Sequence, residues 1–212
     1  MQNKIFGIGL PKTGTSSLSS ALNILGFKSV HLPKKYKSSI WRTGNYYWEG
    51  DWTALTNFGE WFFPQLDETY PNSKFILTVR DKGEWLKSIE SHFEKKANTI
   101  AGRVEIFGTI KFNEKRFSYV YDLHQKTVKD YFQERKQDLL IIDFRKGEVW
   151  ENLCDFLDVD IPDEPVPCEN STLDKDIKDL QKKLKELKEI KKKRIKESEA
   201  EQARCKEDRE KI

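Results

Sequence analysis

The chain has 212 residues, room for one mid-sized domain of roughly 100 to 200 residues and not for a second catalytic one. Hydrophobic residues make up 37% and charged residues 34%, and the charge excess is local: from Asp174 to Ile212 there is no aromatic residue, Gly or Pro, and Lys and Glu dominate. A formal net charge of +3 is too small to argue for a nucleic-acid partner, and no apolar run approaches the roughly 18 residues that span a bilayer, so a soluble, cytoplasmic protein that binds neither nucleic acid nor membrane is expected.

In chain order, Ile5 to Leu10 reads as a buried strand, followed by a loop and a helix over Ser16 to Leu25, where Leu18, Ala21, Leu22 and Leu25 repeat at helical spacing and Gly26 supplies a stop. Lys34 to Trp61 is rich in Tyr, Trp and Gly without a sustained period, which reads as a functional loop or lid. Phe75 to Val79 is a second strand. Asp81 then caps a helix carrying Trp85, Ile89 and Phe93, and another helix runs from Phe117 to Tyr131 with Val120, Leu123, Thr127 and Tyr131 on one face. A third strand, Leu139 to Ile142, precedes a helix over Val149 to Leu157, and Pro162, Pro165 and Pro167 predict extended coil from Val159 to Thr172. Strands alternating with helices predict an α/β domain with a central parallel sheet over residues 1–173.

Residues 174–212 form a charged helical tail in this reading. Ile177, Leu180, Leu184 and Leu187 are spaced 3, 4 and 3 apart, about two heptads, before Lys191 ends the seam. A solvated helix partly docked on the domain by its first turns, with a Lys-rich face over Lys188 to Lys196, is the first reading; a short coiled coil for self-association is the alternative. Cys154, Cys168 and Cys205 lie far apart and suggest neither a disulfide framework nor paired metal ligands.

The segment Gly9-Leu10-Pro11-Lys12-Thr13-Gly14-Thr15-Ser16-Ser17 lies between an apolar strand and an amphipathic helix, where backbone N–H groups and a helix N-terminus converge on an anion. An ATPase loop needs Lys directly after the second Gly. Gly9 and Gly14 have the right separation, but Thr15 stands at that place and the lysine is Lys12. A lysine inside the loop meets the bridging oxygen of a shorter donor rather than the terminal phosphates of a nucleoside triphosphate.

The run Pro11-Lys12-Thr13-Gly14-Thr15-Ser16-Ser17-Leu18 resembles the 5'-phosphosulfate loop of the sulfotransferases that use 3'-phosphoadenosine-5'-phosphosulfate (PAPS). In that family an Arg at a strand end and a Ser eight residues later hold the donor's 3'-phosphate; Arg80, after Phe75 to Val79, and Ser88 stand at that spacing. The resemblance spans roughly Lys4 to Thr172. It implies a three-layer fold like that of P-loop NTPases, PAPS as donor and its bisphosphate PAP as product, no metal, and donor binding by Pro11, Lys12, Thr13, Gly14, Thr15, Ser16, Ser17, Arg80 and Ser88. Cytosolic members carry a late Arg-Lys-Gly followed by Gly-Asp-Trp that closes over the donor. Arg145-Lys146-Gly147 comes earlier and runs into Glu148-Val149-Trp150, which leaves the cover of the 3'-phosphate end open.

The resemblance also implies catalytic roles. Lys12 would stabilise charge growing on the bridging oxygen, and a His or carboxylate between the loop and the Arg80 strand would be the general base. Asp51 and His31 occupy that interval; Asp51 leads, because Asp51 to Ala54 followed by Phe62, Pro64, Leu66 and Tyr70 looks like the base-bearing region of carbohydrate-type members. His92 and His124 read as surface or packing residues. Trp41, Tyr46, Tyr47, Trp48, Trp52, Trp61 and Phe62 form an aromatic belt suited to a small-molecule or carbohydrate acceptor. The rivals are a P-loop nucleotide kinase or ATPase, which the lysine's place counts against, and a non-catalytic nucleotide-binding scaffold with a helical interaction tail.

Overall fold

Along the first apolar run, side chains alternate between two interiors. In the computed structural model of the chain, which describes residues 3–95, 100–168, 180, 183–192 and 194, β1 (Ile5–Gly7) and the residue after it send Phe6 and Ile8 to one side and Ile5 to the other. A strand buried on both faces belongs at the centre of a parallel sheet. Five parallel strands form that sheet in the order β2 (Ser29–His31), β3 (Ala54–Thr56), β1, β4 (Lys74–Thr78), β5 (Leu139–Ile142). Ile5 is level with both Ala54 and Lys74, so the C-terminal ends of the central strands share one edge.

On one face Phe6, Ile8, Leu55, Phe75 and Leu77 pack against Phe63 and Leu66 of α3 (Phe63–Thr69) and Val128 of α6 (Glu114–Tyr131). On the other, Ile5, Ala54, Ile76 and Ile142 meet Leu18, Ala21 and Leu22 of α1 (Thr15–Ile24) and Val149, Trp150 and Leu153 of α7 (Val149–Leu157). The result is a three-layer α/β fold. A third cluster lies past the strand ends, where Leu10 is enclosed by Trp85 and Ile89 of α4 (Lys82–Lys95), Phe107 of α5 (Ile100–Phe107) and Phe117 and Val120 of α6. Because α1 leaves β1 toward one face while α3 leaves the neighbouring β3 toward the other, the C-terminal ends of these two strands border the crevice in which such sheets bind ligands.

The structure departs from the sequence expectations in four places. Lys34 to Trp61 is not irregular throughout: it holds α2 (Lys34–Thr43) and β3. No residue of α2 is fully buried, so its apolar period is too sparse to read. The edge strand β2 is short and largely exposed, which removes the hydrophobic signal. β1 ends at Gly7 rather than Leu10, since the loop begins once Ile8 has bonded the Ile76 carbonyl at 2.9 Å. The helix expected from Phe117 starts at Glu114 and turns a different face inward: Phe117, Val120, Tyr121, His124 and Val128 are buried, whereas Leu123 and Tyr131 are exposed.

The chain divides into two compact units, residues 1–169 and 170–212. In the second, residues 183–192 are helical and Leu184, Leu187 and Ile190 are exposed. Ile177, at the start of the expected seam, and the expected boundary at 173/174 lie outside the described residues. No helix among the described residues is long and apolar enough to cross a membrane.

Candidate active site

The loop between β1 and α1 is held in a shape that an unsupported chain would avoid. Lys12 has φ 74° and Gly14 φ 108°, and a left-handed lysine costs roughly 1 kcal/mol or more unless its surroundings enforce it. They do. The Thr13 hydroxyl lies 2.7 Å from the Leu10 carbonyl and 2.6 Å from the Thr78 hydroxyl, and the Trp85 indole donates to the Pro11 carbonyl at 2.9 Å. Gly9 lets the loop lie against β4: a Cβ there would fall 2.0 Å from the Thr78 hydroxyl oxygen. Gly14 is the N-cap of α1 and gives it no side-chain hydrogen bond, and the first turn carries no acidic residue. Neither a capping side chain nor a first-turn carboxylate therefore competes with an anion for this helix start.

Within the motif the hydroxyls divide. Thr13, Thr15 and Ser17 are buried, and the Thr13 hydroxyl is engaged in bracing the loop; Pro11, Lys12, Gly14 and Ser16 are half-buried and border solvent. Arg80 reaches the same place from the end of β4, its guanidinium Nη1 3.5 Å from the Lys12 carbonyl. Tyr121 fixes the Arg80 backbone twice: its hydroxyl donates to the Arg80 carbonyl and takes the Arg80 N–H at 3.3 Å. Arg80 Nε is buried and makes no hydrogen bond, an unfilled donor beside the loop. Ser88 is half-buried on α4, two turns further along.

The two candidate bases lie at opposite ends of the strands. His31 ends β2, with Nδ1 3.0 Å from the Thr56 hydroxyl and Nε2 3.3 Å from the Ser16 hydroxyl, so it touches the loop. Burial lowers its pKa, and the negative charge of Glu60 partly opposes the shift. Asp51 precedes β3, on the N-terminal edge of the sheet, away from the loop by the length of the strand, about 10 Å. Its carboxylate pairs with Lys28 and is 87% exposed, on a surface pocket of about 440 Å³ lined by Asn23, Ser29, Tyr36 and Trp52 among others.

Sequence reasoning did not find the buried polar group on the β3 side. Glu60 is 1% exposed, pairs with Lys37 of α2 at 3.3 Å and leaves Oε1 without a hydrogen bond. Lys37 also lies 3.9 Å from Glu105 of α5, whose pKa burial raises while Lys37 pulls it down. No motif or period links positions 37, 60 and 105. The aromatic belt is in large part structural: Trp52 is buried, Tyr36 stacks on Trp48, and Trp48 meets Phe58 edge-on; Trp41 and Tyr47 remain exposed. Among the described residues no group of three or more His, Cys, Asp or Glu is arranged to hold a metal ion.

The family described as sulfotransferase domain matches residues 4–174 of the chain. No curated protein matches it in sequence. Among solved structures, the crystal structure of a sulfotransferase from Alicyclobacillus acidocaldarius is similar with a TM-score of 0.50 at 16% sequence identity, over 81% of this chain and 86% of that one. At that identity the likeness speaks for the three-layer fold.

Proposed function

Given that the chain belongs to the sulfotransferase-domain family, we propose that it moves the sulfuryl group of PAPS to a hydroxyl or amine of a small-molecule or carbohydrate acceptor. The observation that carries the reading is the meeting of two anion sites read separately in the sequence: the Arg80 guanidinium adjoins the Lys12 carbonyl at 3.5 Å. An uncapped helix start and an arginine whose buried Nε makes no hydrogen bond suit a nucleotide phosphorylated at both 5' and 3' positions.

PAPS supplies the sulfuryl group; positioning and charge stabilisation fall to the protein. The amides of Gly14, Thr15, Ser16 and Ser17 hold the 5'-phosphate, and Arg80 and Ser88 hold the 3'-phosphate. As the acceptor oxygen or nitrogen bonds to sulfur, the bond from sulfur to the bridging oxygen breaks, and Lys12 stabilises the electron pair left on that oxygen. The acceptor's proton goes to the base. His31 suits this role better than Asp51: it contacts Ser16 of the loop and its lowered pKa keeps it neutral at pH 7, while the Asp51 carboxylate is paired to Lys28 at the other end of the strand. No metal has a part in these steps.

Calorimetric binding of adenosine 3',5'-bisphosphate against ADP, with wild type and Arg80→Ala, tests the donor. Preference for the bisphosphate, lost in Arg80→Ala and insensitive to EDTA, is the expected result. Equal or better ADP binding that depends on magnesium would sink the reading and favour a nucleotide kinase.

A further inference from the structure

Glu84 stands where a carboxylate is least expected. It follows Arg80 by four residues and precedes Ser88 by four, so along the start of α4 it lies on the helical face between the two residues assigned to the 3'-phosphate. Its Oε2 is 3.5 Å from Arg80 Nε, and the same oxygen accepts a hydrogen bond from Arg145 Nη1. Two guanidiniums thus converge on one carboxylate oxygen. The carboxylate does not satisfy Arg80, whose Nε is within ion-pair distance but makes no hydrogen bond.

Arg145 reaches this place through the turn after β5. Phe144 packs against the phosphate loop, where a Cβ on Gly14 would meet the Phe144 Cβ at 3.4 Å, and the Arg145 amide is bonded to Asp143 Oδ1 at 3.0 Å. The other charges nearby have partners of their own: Lys82 pairs with Asp122, Lys146 with Asp143, and Asp81 accepts the Glu84 amide at 2.9 Å as the helix cap.

Resting on the donor reading above, we propose that Glu84 is a resident anion that the donor's 3'-phosphate displaces, and that Arg145 then serves as the second arginine on that phosphate. The exchange is favoured on both sides. Glu84 and Arg145 are 52% and 53% exposed, and an ion pair so hydrated contributes little to stability. A phosphate brings up to two negative charges and several acceptor oxygens to a pair of planar donor forks, where charge-assisted bonds are strongest. A nucleotide lacking the 3'-phosphate offers nothing to exchange, so the Glu84 carboxylate stays in place and the site discriminates against it.

The test is calorimetry with adenosine 3',5'-bisphosphate and with 5'-AMP on wild type, Arg145→Ala, Glu84→Gln and the double variant. Arg145→Ala is expected to weaken the bisphosphate about tenfold and leave 5'-AMP unchanged, as loss of one hydrated charge-assisted contact does. Glu84→Gln is expected to tighten the bisphosphate about threefold, again without effect on 5'-AMP, and the double variant to fall between the two. Both side chains are half-exposed, so an unchanged unfolding midpoint certifies the fold. Weaker bisphosphate binding in Glu84→Gln would mean that Glu84 only orients Arg80, and would overturn the proposal. So would Arg145→Ala changing both ligands alike, or neither. A wild type that binds 5'-AMP as tightly as the bisphosphate sinks the donor reading and this proposal with it; a wild-type preference that survives intact in Arg145→Ala sinks this proposal alone.

Discussion

On the β4 side of the crevice side chains grip the main chain of the candidate groups, and on the β2 side, side chains hold one another. The loop's carbonyls are taken by Thr13 and Trp85, Arg80 is clamped by main-chain bonds to Tyr121, and glycine allows contact that a Cβ would block. Across the crevice, His31 is held between the Thr56 and Ser16 hydroxyls, and Glu60 by the ammonium of Lys37. A backbone cradle needs particular residues at fixed spacing. A side-chain network needs only that three distant segments arrive together.

If the contrast is sound, Lys12→Ala should separate rate from binding. The backbone cradle remains, so the affinity for adenosine 3',5'-bisphosphate should fall only a fewfold, while kcat with PAPS falls about 10³-fold, the scale of losing one transition-state charge contact. A Kd that rises as much as kcat falls would show that the lysine, not the backbone, builds the cradle.

The second effect lies in stability on the other wall. Lys37→Met leaves the buried Glu60 carboxylate without its cation and should cost about 3 kcal/mol in urea unfolding, whereas Lys37→Met with Glu60→Gln should recover most of it. A single variant within about 0.5 kcal/mol of wild type would mean that the pair holds nothing, and the contrast would fail on this side.

This division explains what could be read from the sequence. The strands β1, β4 and β5 are short apolar runs between turn signals, the loop is legible from its glycines between strand and helix, and Arg80 stands out only through the resemblance to the family. β2 and β3 were not legible: β2 is a largely exposed edge, and β3 lies beyond a helix with no buried position. The face of α6 was misread because Tyr121 and His124, the polar residues on it, are buried for bonds and contacts that no period encodes. Asp51 drew attention by its sequence neighbours, while register with β1 puts it on the far edge of the sheet.

A smaller effect follows for the base. His31→Asn should lower kcat about a hundredfold and remove the acid limb of the pH profile, while Asp51→Asn should stay within about twofold. In wild type that limb should lie below pH 6.5, because burial lowers the His31 pKa and the base must be unprotonated to work. The reverse ranking of the two variants would return Asp51 to the role.

The smallest effect concerns the residue on which both walls lean. His124 of α6 is 1% exposed, its ring edge-on to Trp61 at 5.2 Å, and burial lowers its pKa to about 4 while the backbone carbonyls of Glu60 and Ile8 oppose the shift. Ile8 leads into the loop between β1 and α1, and Glu60 belongs to the opposite wall. The unfolded chain takes up a proton near pH 6.5 and the folded one only near 4. The stability that neutral His124 leaves intact is therefore fully present above pH 6.5 and is lost as pH falls toward 4, by about 2 kcal/mol at pH 5. His31, shifted in the same direction, adds to the slope. His124→Phe keeps a ring against Trp61 and removes the proton site, so its unfolding free energy should decline less steeply than that of wild type between pH 6.5 and 4. Parallel slopes would mean that His124 is protonated without strain, and that the two walls do not share it as a dry joint.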